Sequence, residues 1–153
     1  MDDKTRRDRV SRFIHTLNQA RELGLSVTDA GEGHLTLCLP YSDRIIGNPD
    51  TGVIHGGAIT TLMDTASGSV ILCALEEFEL CPTLDLRVDY MRPAEPGQDI
   101  IAEAVSLRSR GLVCFVRATA HDGNTDEPVA LAQAAFMITN ASKAAQERAQ
   151  RAL

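Results

Sequence analysis

The sequence predicts an α+β fold, in which an antiparallel sheet of about six strands carries helices set apart from it in the chain, one of them buried. Three observations carry this. Apolar and polar residues alternate with period two through most of the second half of the chain. A long run from Gly56 to Leu75 is apolar, built mostly of small residues and almost free of charge. Ahead of both, the first residues repeat their apolar positions with a helical period.

Taken in order, Asp3 to Leu23 is predicted as one amphipathic helix. Val10, Phe13, Ile14 and Leu17 form its apolar stripe, and Gly24 is its stop. Leu25 to Ala30 and His34 to Leu39 are predicted strands, turning at Gly31-Glu32-Gly33. In the second, Leu35, Leu37 and Leu39 alternate with His34, Thr36 and Cys38. A loop from Tyr41 to Ile54 feeds the helix at Gly56. That helix carries Ala58, Ala66, Ser67, Gly68, Ser69 and Ala74, small residues that let a buried helix approach its neighbours closely.

Four further strands follow. Leu84, Leu86, Val88 and Tyr90 share a face opposite Thr83, Asp85, Arg87 and Asp89, and Pro93-Ala94-Glu95-Pro96-Gly97 turns the chain. Ile100 to Leu107 and Leu112 to Ala120 turn at Ser109-Arg110-Gly111, and Val129 to Ile138 closes the sheet. Ala141 to Leu153 is expected as a short polar helix. At 153 residues the chain is expected to be one domain, with an N-terminal helix over 1–23, a core over 25–138 and a tail over 141–153.

Composition narrows the function classes. The first seven residues are polar, so no secretory leader is expected, and no run approaches the ~18 apolar residues of a membrane span. Cys38, Cys73, Cys81 and Cys114 stand far apart, as expected of reduced core thiols in a cytoplasmic protein. A net charge of −6 argues against nucleic acid as a partner. There is no G-x-S-x-G elbow and no phosphate-binding glycine loop, and His15, His34, His55 and His121 lack metal-ligand spacing.

One constellation carries chemistry. His55-Gly56-Gly57 opens the buried helix, whose free N–H groups and partial positive charge suit an oxygen gaining negative charge. Asp64 is a carboxylate two turns inside an apolar helix, hence a candidate base. Gly57 and Asp64 share a helical face, yet seven residues separate them along the axis by about 10 Å. An oxyanion donor and a base must both reach one reacting centre to within roughly 3 Å. One copy of the helix cannot supply both, whereas two antiparallel copies can, so the site is expected at a subunit interface. The bland readings stand beside this one. Asp64 bonds Thr60 or Thr61, His55 ties down the loop, Gly56 and Gly57 permit close packing, and Asn48 is a turn residue.

Asn48, His55-Gly56-Gly57 and Asp64, followed by the segment Thr83-Leu84-Asp85-Leu86-Arg87-Val88-Asp89-Tyr90-Met91-Arg92-Pro93-Ala94, resemble the hotdog-fold acyl-CoA thioesterases. The similarity is to the phenylacetate-degradation (PaaI-type) group and covers roughly Leu25 to Ile138. It implies a sheet wrapped around the buried helix, hydrolysis of an acyl-CoA, and no cofactor beyond the coenzyme A of the substrate. By the same resemblance Gly56, supported by Gly57, offers an N–H to the thioester carbonyl, and Asn48 adds a side-chain amide. Asp64 of the partner subunit activates water or attacks directly, Thr83 supplies the hydroxyl that orients the water, and His55 shapes the loop. Asn48 stands seven residues before His55, one more than the commonest spacing, so a bulged loop is expected.

Arg92, Arg108, Arg110 and Arg117 are candidates for the coenzyme A phosphates, with the Arg110-Gly111 turn preferred. A homodimer or homotetramer is expected. A hydratase or dehydratase, and a non-catalytic acyl-CoA-binding module, are the rival readings. The first calls for a carboxylate and histidine pair, which His55 and Asp64 do not form within one chain.

Overall fold

In the computed structural model, which describes residues 1–139 and only the backbone of Arg110, a single antiparallel sheet wraps one long helix. The elements in chain order are α1 (Asp3–Ile14), α2 (Asn18–Glu22), β1 (Ser26–Gly31) and β2 (His34–Leu39). A small hairpin of β3 (Ile46–Asn48) and β4 (Val53–Ile54) then leads into α3 (Gly56–Ala74). β5 (Thr83–Tyr90), β6 (Ile100–Arg110), β7 (Val113–His121) and β8 (Ala130–Met137) complete the fold. The six-stranded sheet has the order β1-β2-β6-β7-β8-β5. This is the hotdog arrangement. The tail helix expected over 141–153 lies outside the described residues.

The inner face of the sheet explains how α3 fits. β2 contributes the large side chains Leu35, Leu37 and Leu39, whereas β6, β7 and β8 turn mostly alanines inward: Ala102, Ala104, Ala118, Ala120, Ala130, Ala132 and Ala134. Small residues on the strands and on the helix let the two backbones close up. By length and composition α3 would pass for a membrane span, but most of it is buried inside the wrapped sheet.

The N-terminal segment is two helices, not the single one expected over 3–23. The Thr16 hydroxyl donates to the carbonyl of Phe13 (2.7 Å), competing with the helical ladder, and Leu17 takes an extended conformation. The break lets Ala20 turn inward. Gly24, at φ +69°, ends α2 as predicted, with Gly24 N–H donating to Arg21 and Leu25 N–H to Ala20.

α1 is tied across the far end of α3. Arg6 donates to the carbonyl of Cys73 (2.9 Å), and Arg9 to those of Leu72 (3.2 Å), Leu75 (2.7 Å) and Glu76 (2.7 Å). Two guanidinium groups thus satisfy carbonyls that the helix end leaves unpaired, and complement its negative dipole end.

The alternation read in β5 is present, but its burial is not that of a half-buried strand. Leu84, Leu86, Val88 and Tyr90 follow the inward face, and yet Leu84 and Tyr90 remain 54% and 50% exposed. Among the described residues β5 pairs only with β8, which leaves its other edge open.

Candidate active site

The hairpin before α3 sets the N-terminus of the helix. Gly47 lies so close to His55 that a Cβ there would come within 2.8 Å of its Cα. His55 N–H donates to the carbonyl of Ile45 (2.8 Å), which anchors the last residue before the helix. The His55 ring then folds back, and its Nδ1 accepts from Gly57 N–H at 2.9 Å. His55 is therefore the N-cap, and a neutral ring in this contact carries its proton on Nε2.

This cap sorts the two glycines. The Gly57 N–H is spent on His55, so it is not a donor for a ligand. The Gly56 N–H has no partner among the described residues, and it stands at the positive end of a nineteen-residue helix. Both positions also need glycine for room. A Cβ on Gly56 would sit 3.3 Å from the Tyr90 ring, and one on Gly57 would sit 2.9 Å from His55 Nδ1.

Asp64 is half-buried on the α3 face turned toward β5. Its partner is neither Thr60 nor Thr61, whose hydroxyls donate instead to the carbonyls of Gly56 (3.2 Å) and Gly57 (2.9 Å). Thr83 at the start of β5 donates to Asp64 Oδ1 at 2.9 Å. At the other end of β5, the Tyr90 hydroxyl donates to the carbonyl of Gly56 at 2.7 Å and also meets the Thr60 hydroxyl. Tyr90 appears in the sequence as one more inward residue of an alternating strand. Only its place at the strand's last inward position, beside a phenol able to donate, pointed to this contact.

The remaining sequence candidates divide. Asn48 is exposed at the hairpin tip. Its Oδ1 accepts from Asp50 N–H (3.0 Å), and its carbonyl accepts from Gly52 N–H (2.8 Å). That is a turn, and it leaves the Nδ2 donor without a partner among the described residues. Gly111 turns the chain between β6 and β7 at φ +59°. Val113 pairs with Met137, the neighbour of Phe136, which stands opposite Thr83, so this turn belongs to the Thr83 end of the sheet. Arg92 is committed elsewhere. It grips Asp122 with two hydrogen bonds of 2.6 and 2.7 Å and donates to the carbonyls of Glu127 and Pro93. A guanidinium so engaged holds the end of β5 against the loop after β7, and has no fork left for a phosphate.

Two recesses meet at Asp64. An open groove of about 520 Å³ runs along Leu17, Gln19, Thr60, Thr61, Thr83 and Leu86. A narrower pocket of about 110 Å³ continues from Asp64 and Thr83 toward Phe13, Ser69, Glu79 and Phe136. Cys81 also lines it, and burial pushes its thiol up to about 11, which keeps it protonated near neutrality.

Residues 51–129 match the model of the thioesterase superfamily. A medium/long-chain acyl-CoA thioesterase of Salmonella typhimurium is 29% identical over 140 residues, covering 82% of this chain and 88% of that one. A candidate esterase of Halobacterium salinarum is 40% identical over 89 residues, and the match spans 56% of this chain and 58% of that relative's length. A crystal structure of a Pseudomonas aeruginosa protein is 50% identical and superposes with a TM-score of 0.80, covering 86% of this chain and 98% of that one.

Proposed function

From the premise that the chain belongs to the thioesterase superfamily, we propose that it hydrolyses an acyl-CoA to a free acid and coenzyme A, in sites shared between two subunits. One observation carries this reading. Asp64 is tied to the first residue of β5 and Gly56 to the last, and β5 is the open edge of the sheet. If β5 pairs antiparallel with its own copy about a dyad between Leu86 and Arg87, Thr83 of one subunit lies opposite Tyr90 of the other. Asp64 then comes to the Gly56 N–H of the neighbouring helix. The pairing also covers Leu84 and Tyr90, which the chain's own helix leaves exposed.

The chemistry follows from the groups present. The thioester carbonyl accepts from the Gly56 N–H at the positive helix end, with the Asn48 amide as a second donor held by its turn. Asp64, whose Oδ1 is fixed by Thr83, takes a proton from water on its other oxygen as the water oxygen attacks the carbonyl carbon. The tetrahedral oxyanion collapses, the C–S bond breaks, and the thiolate of coenzyme A recovers the proton. The Arg110-Gly111 turn, at the Thr83 end of the sheet, is the preferred place for the phosphates.

A thiol-release assay across acyl-CoAs of different length tests the activity. Free thiol is expected with the wild type and not with Asp64→Ala. Loss of enoyl-CoA absorbance without thiol would mean a hydratase, and binding without either change would mean a non-catalytic module.

A further inference from the structure

The narrow pocket that starts at Asp64 follows α3. Asp64, Thr65, Gly68 and Leu72 line it in turn, eight residues and about 12 Å of rise. Its outer wall is thin. After α3 the chain runs from Phe78 to Pro82 without regular structure, and its side chains alternate between two recesses. Glu79 and Cys81 line the pocket, whereas Phe78 and Leu80 line an open groove of about 570 Å³ on the other side. Phe13 lines both. Its ring meets that of Phe78 at a centroid distance of 5.6 Å and a tilt of 58°, within the range aromatic pairs favour.

The two rings are held differently. Phe13 packs against the core, while Phe78 is 48% exposed. The backbone of the wall is pinned at the end of β8, where Thr139 N–H donates to the carbonyl of Leu80 (3.3 Å) and Met137 N–H to that of Pro82 (3.0 Å). What closes the pocket toward the groove is therefore the ring pair on a fixed main chain. We propose that the pocket takes the acyl chain of the substrate and that the Phe13–Phe78 pair is the stop that limits its length. Phe13 is the ring the chain meets, and Phe78 braces it from the groove side. The proposal rests on the thioesterase reading for what lies at Asp64. An extended chain of roughly ten carbons spans the 12 Å from Asp64 to Leu72 at ordinary C–C bond lengths. A longer chain must leave methylenes in water or displace Phe13 and forfeit the ring contact. The groove beyond, at about 570 Å³ against 110 Å³ for the pocket, has room for those methylenes once the ring is gone.

Two measurements test this on the full chain. In the first, kcat/KM is compared for octanoyl-CoA and myristoyl-CoA, below the concentration at which the longer ester forms micelles. The wild type is expected to favour octanoyl-CoA by about tenfold or more, the worth of one or two methylenes shut out of a fitted apolar pocket. Phe13→Ala joins pocket and groove and should bring the two esters within about threefold. Because that variant also removes core packing, Phe78→Ala is the second, at a half-exposed ring whose loss should shift the Tm by no more than about two degrees. It should move the ratio toward myristoyl-CoA by about threefold or more, and Phe78→Trp, which keeps a brace, should retain the wild-type ratio. A merely structural role for Phe78 would lower both esters together and leave their ratio unchanged. In the second measurement, calorimetry compares binding of the non-hydrolysable octyl and tetradecyl thioethers of coenzyme A to the same proteins. A wild type that takes both esters equally or prefers the longer, or a ratio unchanged in both Phe13→Ala and Phe78→Ala, overturns the proposal and leaves the thioesterase intact. Binding that follows the expected lengths without hydrolysis of either ester sinks the thioesterase reading and leaves the stop standing.

Discussion

Thr83 holds Asp64 through one hydrogen bond of 2.9 Å, hydroxyl to Oδ1, and so joins the only charged residue of the central helix to the edge of the sheet. A donated proton on one oxygen orients the carboxylate and leaves the other oxygen to face a water. If that is how the base is aimed, removing the hydroxyl should slow catalysis without unfolding the chain. Thr83→Val, which keeps the shape, is expected to lower kcat by about tenfold to a hundredfold, the range of a positioned proton-transfer group partly misplaced. Thr83→Ser should stay within a few-fold of wild type. Steady-state hydrolysis of one good acyl-CoA checks both, and equal rates for Thr83→Val and wild type would remove Thr83 from the site.

Asn48 has two possible uses, and one pair of variants separates them. Its Oδ1 makes a turn with Asp50 N–H, while its Nδ2 is the atom an oxyanion would need. Asn48→Asp keeps the acceptor and therefore the turn, but has no N–H to donate. Asn48→Ala loses both. As an oxyanion donor, Asn48 should cost about 10²-fold in kcat in either variant, as comparable donors do. A near wild-type rate for Asn48→Asp with a damaged Asn48→Ala would return the residue to the turn.

The helix-start signature was legible because its parts are local. A glycine pair, a preceding histidine and an isolated carboxylate all lie within ten residues, and helical rise alone separates Gly57 from Asp64. The strands were legible from period two, and the bounds of β5 are those read from the sequence. What could not be read depends on tertiary neighbours. Whether His55 spends Gly57's N–H is decided by a ring rotamer, and the Arg92–Asp122 pair joins residues thirty apart in the chain. The break at Thr16 was hidden because a hydroxyl competing for a carbonyl leaves the apolar stripe intact. The exposure of β5 was hidden for a related reason, since alternation reports which side a residue faces and not whether anything covers it.

The Arg92–Asp122 pair gives a pH dependence of known sign. Asp122 has a side chain only 2% exposed, and hydrogen bonding to Arg92 holds its carboxyl well below the usual carboxylate range. A depressed folded value means that the pair stabilises the protein fully above the unfolded carboxylate value, near 4, and progressively less as the pH falls below it. Asp122→Asn should therefore lower the Tm by several degrees at neutral pH, and the gap should narrow between about pH 5 and pH 2. Thermal unfolding of the two proteins across that interval checks it. A gap that is constant with pH would show that the charge of Asp122 contributes nothing.

The shared site makes the sharpest prediction. Gly56 occupies the first helical position, where proline is tolerated, and His55 before it has φ −66° and ψ 131°, a conformation that proline accepts in its neighbour. Gly56→Pro thus deletes one N–H with little change to the helix, at the cost of a small shift of the Tyr90 ring. Alone, Gly56→Pro and Asp64→Ala should each abolish most hydrolysis, since every site in either homodimer lacks one half. Mixed by co-expression, the two give heterodimers in which one site carries both lesions and the other carries neither. With random assortment half the dimers are mixed and each has one intact site, so about a quarter of wild-type activity should return. Mass photometry on the same sample should show dimers or tetramers. Single-chain sites would give no recovery at any mixing ratio, and a monomeric protein with full activity would remove the pairing of β5 altogether.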